Sequence, residues 1–264
     1  TMLLSAPYAC LLLGGTGAVG QDVLRSLVKS PRCTSVIVAV RGLVEDGDDV
    51  WAHPKVHQVV VDFEEVCEAM EEQSAAAREG MEHEMPVCLR PLFQEETQVT
   101  LCALGTTRRA AGSAENFRRV DHDYVLALAR AAQQYGGCRH FGYVSSMGAS
   151  SSSWFLYPKT KGLVEQHLEE LEFPALTIMR PGLLDAPHRK DARLLESLAQ
   201  KLFRVINPVL VGPLRKYRSI KTSAVASALV HEVEAREEEG VVILSSQEIQ
   251  QLADQAQVQG EDRE

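Results

Sequence analysis

The sequence predicts an α/β chain built on a doubly wound parallel sheet with a small C-terminal lobe, and three observations carry that prediction. An apolar run, Tyr8–Leu13, passes directly into Gly14-Gly15-Thr16-Gly17-Ala18-Val19-Gly20. The glycines open an amphipathic stretch with Val19, Val23, Leu24, Leu27 and Val28 on one face, away from Gln21, Asp22, Arg25 and Lys29. Apolar runs and helix-period stretches then alternate along the chain, and right-handed crossovers make such a sheet parallel and wound on both faces.

The glycines have separable jobs. Gly14 allows a tight turn off the strand, Gly17 removes a Cβ from the path of an approaching phosphate, and Gly20 lets the helix pack closely. A strand entering a helix through Gly-x-x-Gly-x-x-Gly presents backbone N–H groups and a helix N-terminus to a diphosphate. Gly14, Gly15, Thr16, Gly17, Ala18 and Val19 are therefore the candidate dinucleotide-binding turn. The competing reading is a flexible loop, and the strand before and helix after count against it.

The end of the second strand tests which dinucleotide. Ser35–Val40 is followed by Arg41, about 20 residues past the last glycine, where an NAD-binding site carries an acidic residue. A cation there suits a 2′-phosphate, so NADP(H) is expected; a solvated arginine at a strand end is the alternative. A third strand, Val56–Val61, ends in Asp62-Phe63. That pair suits an adenine edge with a ring beside it, while Asp62 equally suits a helix N-cap for Glu64 onward.

Composition agrees with a folded enzyme-sized domain. A chain of 264 residues, 45 % apolar and 24 % charged, can be one large α/β domain or two small ones; with the glycine turn it is taken as a single NAD(P)-binding domain over residues 1–264, with residues 185–222 as a small substrate-covering lobe. A net charge of −9 argues against general affinity for nucleic acid. The six cysteines form no C-x-x-C pair and read as reduced, mostly buried thiols, from which a cytoplasmic location is expected. No apolar run approaches the ~18 residues of a membrane span. The chain enters a core strand too early for a cleaved signal, and Thr1 before Met2 reads as an added residue. His53 and His57 are split by Pro54, which argues against a shared metal-binding face.

A fourth strand, Val99–Leu104, runs into Gly105-Thr106-Thr107-Arg108-Arg109, making Leu104, Gly105 and Thr106 a candidate loop over the adenosine or ribose. Between the third and fourth strands, 64–98 reads as an exposed helix and an irregular excursion with no evident function. A long helix is expected from Ala114 to Tyr135, closed by Gly136-Gly137.

The fifth strand, His140–Val144, ends in Ser145-Ser146, and a helix follows with Tyr157 and Lys161 one turn apart on one face. An isolated phenol titrates near ~10 and needs a nearby cation to exchange protons at neutral pH. Lys161 supplies that cation and can reach ribose hydroxyls, and Ser146 can hold the same carbonyl oxygen. Alternation along a strand lets only one serine face the substrate, and Ser146 is chosen over Ser145. Tyr217 and Lys221 share the spacing but follow no serine-ended strand. A packed aromatic at a helix start is the bland reading of Tyr157.

These motifs resemble the short-chain dehydrogenase/reductase superfamily, and more closely its atypical branch of Tat-interacting-protein-like oxidoreductases. The residues carrying the resemblance are Leu104–Arg108, Val120–Val125, Gly137–Phe141, Ser145-Ser146, Phe155-Leu156-Tyr157 with Lys161-Gly162, and Arg180-Pro181-Gly182. The resemblance spans residues 8–230. It implies a Rossmann fold, NADPH binding, Tyr157 as proton donor and acceptor, Lys161 on the ribose, and protein partners beside a small-molecule substrate. The excursion at 64–98 and the Ser150–Ser153 loop depart from the pattern.

A sixth strand, Ala175–Met179, leads into Pro181, Gly182 and Leu183, whose position implies contact with the nicotinamide side. The lobe at 185–222 carries Arg189, Lys190, Arg193, Arg215, Lys216 and Arg218, suited to an anionic substrate, a localisation signal or a solvated face. A helix from Ser223 to Arg236, a strand from Val241 to Leu244 and a Gln-rich helix complete the chain, with a frayed end over 260–264.

Two functions compete. One is an NADPH-dependent reductase of a small carbonyl compound, with epimerase or dehydratase chemistry as a variant. The other is an NADPH-sensing interaction protein with little turnover. A homodimer through the helices starting near Ala114 and Pro158 is expected by analogy with this scaffold.

Overall fold

All six residues of β1 (Tyr8–Leu13) are buried, as are seven of the eight in β2 (Cys33–Val40). Strands with no exposed alternate are covered on both faces, the signature of a parallel sheet between helices. The computed structural model describes residues 7–45, 49–79, 84–185 and 219–261. Within it β3 (Val56–Val60), β4 (Val99–Cys102), β5 (His140–Val144), β6 (Ala175–Arg180) and β9 (Gly240–Ser245) complete a seven-stranded sheet in the order β3-β2-β1-β4-β5-β6-β9. Every neighbouring pair is parallel. The predicted doubly wound, Rossmann-type sheet is the observed fold.

Helices α1 (Ala18–Lys29), α2 (Phe63–Arg78), α3 (Arg108–Ala111), α4 (Ala114–Arg118), α5 (Tyr124–Tyr135), α6 (Leu156–Glu169), α7 (Thr222–Ala235) and α8 (Ser246–Glu261) accompany the sheet. One apolar layer joins Leu12 and Val38 of the sheet to Val23 and Leu24 of α1, Val225 and Leu229 of α7, and Ile249 of α8. The opposite layer joins Leu11, Leu13 and Ile37 to Val66 of α2, Val125 and Leu128 of α5, and Val164 and Leu168 of α6. Adjacent residues of β1 thus enter different layers, the period-two rule of a strand. Each fully buried Leu or Val contributes roughly 1.5–3 kcal/mol, so these layers fix the helices more firmly than helix propensity does.

Leu13 lies level with Ala39 of β2 and with Cys102 of β4. The loops that follow therefore collect at one carboxyl edge, where the strand order reverses between β1 and β4 and opens a crevice. The fourth strand stops at Cys102, two residues short of the expected Leu104. The chain there bends over the glycine turn, with the Ala103 and Leu104 backbone 2.7 Å from where a Gly14 Cβ would sit.

The helix expected over 114–135 is present but interrupted. Between α4 and α5 a π-turn occupies Arg119–Asp123, and α3 stands just before it, capped by the Thr107 hydroxyl accepting from Ala110 N at 3.1 Å. Beyond β6, a two-residue parallel pair joins β7 (Leu184–Asp185) to β8 (Ile220–Lys221). The rest of the expected lobe, with Arg189, Lys190, Arg193, Arg215, Lys216, Tyr217 and Arg218, lies outside the described residues. Among the described residues no helix is long and apolar enough to cross a membrane.

Candidate active site

The glycine turn is built by close backbone contacts. Gly14 has φ +81°, and a Cβ on Gly20 would lie 2.0 Å from the Gly14 carbonyl oxygen. Gly17 N–H donates to Gly14 O at 3.0 Å and closes the turn. Gly17 is also the N-cap of α1, and no side chain caps that helix. Its first N–H groups therefore point into the crevice with nothing from Gly17 to occupy them, which suits an anion.

Eight of the sequence-expected binding residues line one cavity of about 500 Å³: Gly14, Thr16, Gly17, Arg41, Phe63, Leu104, Gly105 and Thr106. Gly15, Ala18, Val19, Asp62, Tyr157, Lys161, Pro181, Gly182 and Leu183 do not. Gly15 is buried with Val38 Cγ1 2.5 Å from its would-be Cβ, and Val19 belongs to the apolar layer under α1. The Asp62 carboxylate caps α2, accepting from Glu64 N at 2.9 Å and Glu65 N at 3.4 Å. Of the two readings of Asp62, the cap is the one formed.

The sequence reading missed Glu64, Asn116, Arg119 and Tyr124 on the same wall. Arg119 reaches Glu64 at 2.6 Å, Glu71 at 3.0 Å and Asp123 at 3.5 Å, while Tyr124 donates its hydroxyl to Glu64 at 2.8 Å. Three carboxylates engage Arg119, whereas Arg41 is exposed at the cavity wall.

Beyond the cavity, β5 and α6 place the residues that the sequence singled out for proton transfer. Tyr143 and Ser145, two residues apart, both face α6: the Tyr143 hydroxyl meets Lys161 Nζ at 3.1 Å, and Ser145 donates to Glu165. Glu165 is held in turn by Arg180, whose Nε lies 3.0 Å from it. The intervening register leaves Ser146 outside this network, and its buried hydroxyl has no protein partner. Ser145 is therefore bonded within the protein, and Ser146 is the serine of the pair whose hydroxyl is not.

On α6, Tyr157, Lys161 and Glu165 form one stripe at four-residue spacing. Gly162 permits it, because a Cβ there would stand 2.3 Å from the Ser150 carbonyl carbon of the serine-rich loop. Tyr157 is 47 % exposed and Lys161 only 4 %. The buried ammonium lies 3.4 Å from Asp121 Oδ1, and Asp121 Oδ2 accepts from Thr106 N at 2.6 Å. Burial opposes the lysine's charge, but attraction to Tyr143, Asp121 and Tyr157 outweighs that opposition and holds it above its ordinary range. Burial pushes the Asp121 carboxyl up, with Lys161 and the Thr106 N–H pulling it back.

The cavity and these residues meet at Gly105, whose would-be Cβ lies 3.1 Å from Asp121 Oδ1 and 3.5 Å from Lys161 Nζ. Pro181 borders the serine end, its carbonyl accepting from Met147 N at 2.8 Å; Leu183 is 42 % exposed beyond it. Asp121 and Tyr143 carried no catalytic signal in the sequence, since a π-turn and a strand face bring them to Lys161. Among the described residues no cluster of three potential metal ligands occurs, and all six cysteines are unpaired.

No family model matches the chain. Protein HTATIP2 of Rattus norvegicus is 38 % identical over 192 residues, covering 73 % of this chain and 69 % of that protein. Protein FMP52, mitochondrial, of Candida albicans is 31 % identical over 191 residues, covering 72 % and 73 %. A short-chain dehydrogenase from Burkholderia cenocepacia, solved in complex with NADP, superimposes with TM-score 0.58 at 14 % identity over 100 % of this chain and 96 % of that one. That likeness shows the fold.

One expectation falls. Relatives from Candida albicans, Emericella nidulans and Debaryomyces hansenii carry a mitochondrial location in their names, against the cytoplasmic location expected here. Unpaired thiols do not single out the cytosol, which is not the only reducing compartment. With 38 % identity over most of its length and the Rossmann-type sheet in place, the chain belongs to the HTATIP2 family of atypical short-chain dehydrogenases/reductases.

Proposed function

We propose that the protein is an NADPH-dependent reductase of a carbonyl compound, with Tyr157 as the acid. The carrying observation is the pairing of a phenol at the crevice, in electrostatic reach of a buried Lys161, with a buried Ser146 hydroxyl that has no protein partner. The glycine turn suits a diphosphate: a side chain at Gly14 or Gly20 would collide with the backbone that shapes the turn, and no side chain caps the α1 N-terminus there. Gly14, Thr16, Gly17 and the Leu104–Thr106 loop would hold the dinucleotide, with Arg41 beside the adenosine 2′-phosphate. A bound nicotinamide supplies the hydride.

The protein's own groups do the rest. Ser146 donates to the carbonyl oxygen and orients it; Tyr157 delivers the proton to that oxygen as negative charge develops. Lys161 stabilises the phenolate left behind. Pro181, Gly182 and Leu183 wall the nicotinamide end. The reading is of one domain over the whole chain with a substrate-covering part at 185–222, and the names of the fungal relatives support a mitochondrial location.

NADPH oxidation followed over aldehydes, ketones and quinones tests the proposal. Tyr157→Phe is expected to lower kcat by roughly 10²–10⁴-fold while nucleotide affinity stays within a few-fold. Unchanged turnover in that variant, or no substrate in any class, overturns it. Loss of nucleotide binding together with activity would instead point to a packing role for Tyr157.

A further inference from the structure

Lys161 is the most deeply buried cation at the site, and its surroundings divide by element. β5 contributes the Tyr143 hydroxyl at 3.1 Å, the π-turn contributes Asp121 at 3.4 Å, α6 contributes Tyr157, and β4 contributes the Cys102 thiol. Tyr143 is buried and its phenol is pushed up, and the Cys102 thiol is pushed up to about 11, both chiefly by burial. Neither carries charge near neutral pH. Asp121 is therefore the negative group that faces the ammonium from within the protein, and it is itself fully buried.

The π-turn explains how a carboxylate gets there. An extra residue in a helical turn re-aims one side chain without ending the helix. The re-aimed residue is Asp121, and its second oxygen binds the backbone of Thr106 in the loop expected over the dinucleotide. Asp121 Oδ1 has no conventional hydrogen-bond donor and answers only to the lysine charge.

We propose that Asp121 is a positioning residue for the proton-transfer unit: its carboxylate keeps the buried Lys161 ammonium charged and in place, and ties it to the Gly105–Thr106 turn. The inference rests on Lys161 serving Tyr157 in the proposed reaction. A buried ammonium stripped of its counter-ion releases its proton more readily, and a neutral lysine no longer stabilises a phenolate. Asp121 acts through Lys161 and does not touch the substrate.

The test reads the lysine directly in cofactor-free, full-length protein. Side-chain ¹³Cε-lysine NMR, with the Lys161 signal identified by its loss in Lys161→Met, follows protonation with pH. In the wild type Lys161 is expected to stay charged beyond pH ~10, the ordinary lysine value. In Asp121→Asn its midpoint should fall by at least about two units, the scale on which a neighbouring opposite charge acts on a buried group. Asp121→Glu should restore most of that fall.

A merely structural Asp121 would lower the melting temperature and leave the Lys161 midpoint where it was, and that result overturns the proposal. So does a wild-type Lys161 that already titrates well below the ordinary range, an arm that needs no variant to fold. No turnover enters the measurement. A protein that reduced no carbonyl at all would still pass or fail it.

Discussion

The two ends of the same seven strands are finished differently. At the amino end, Glu234 of α7 gathers the Tyr8 hydroxyl at 2.8 Å and the Ser30 hydroxyl, while Arg236 bonds Leu176 O at 3.2 Å and Gly240 O at 2.8 Å. His140 lies buried there against Thr177 Oγ1 at 2.8 Å. These groups bind one another and close the sheet. At the carboxyl end the glycine turn has bare N–H groups, Ser146 has an unused hydroxyl and Tyr157 is half exposed. Polar side chains at the first end mostly bind one another, with Ser35 Oγ, Thr100 Oγ1 and His140 Nδ1 left without a partner inside the sheet, while at the second end the groups left over lie beside a crevice. Burying an unpaired hydroxyl carries a cost of about 1–3 kcal/mol, borne at Ser35 and Thr100 within the sheet as well as at Ser146, and only Ser146 follows a strand at its carboxyl end.

Substitutions should separate the two ends. The widest effect, on the backbone of the crevice itself, is expected from Gly20→Ala, because its methyl would meet the Gly14 carbonyl at 2.0 Å and the backbone must move. Nucleotide affinity, measured by fluorescence titration, should fall by more than about 100-fold as the anion cradle deforms. Affinity within threefold of the wild type would show that the crevice does not depend on this close approach.

Next comes the serine pair. Ser146→Ala should reduce kcat by roughly 10²–10³-fold with little change in melting temperature, as for loss of one oxygen-stabilising donor. Ser145→Ala should do the reverse, costing about 1–3 kcal/mol in denaturant unfolding because Glu165 loses a buried partner, with kcat changed less than in Ser146→Ala. Equal effects of the two would erase the distinction between scaffold and site within this strand end.

The smallest effect belongs to the closed end. Burial, and then the Arg236 charge, pull the His140 imidazole down to about 3, against an ordinary value near 6.5. The folded state therefore prefers neutral His140. Its stabilisation is complete above pH ~6.5 and is lost as the pH falls from there towards 3. Between pH 6.5 and 5 the wild type should lose about 1–2 kcal/mol that His140→Gln does not, read from urea midpoints at each pH. A wild-type curve parallel to that of the variant would mean that His140 is charged in the fold.

What could be read from the sequence follows the same divide between backbone and side chain. The glycine turn was legible because part of its demand is local: Gly17 and Gly20 both meet the Gly14 carbonyl a few residues away, while the approach of Ala103 and Leu104 to Gly14 comes from a distant strand end and left no mark in the sequence. The strands were legible because buried runs such as Tyr8–Leu13 have no polar alternate. Tyr157 and Lys161 were legible from helix spacing. Asp121 was not, because its inward aim depends on a π-turn that no composition signal marks. Nor were the Arg119 contacts to Glu64 and Glu71, which join residues far apart in sequence. For Asp62 the sequence allowed two roles, and the geometry of the helix start, with Glu64 N and Glu65 N both donating to it, shows the carboxylate engaged as a cap.

The wide turn between α4 and α5 has a consequence for how the protein can vary. A regular helix fixes which side every residue presents once one of them is set. The additional residue here breaks that phase, so the segment ahead of it, bearing Phe117 beside Tyr157, and the segment behind it, packed on α2, answer to separate geometric demands. Shortening the turn by one position would restore a continuous spiral and swing the carboxylate about 100° away from the ammonium, leaving the hydrophobic layer intact and the chemistry unsupported.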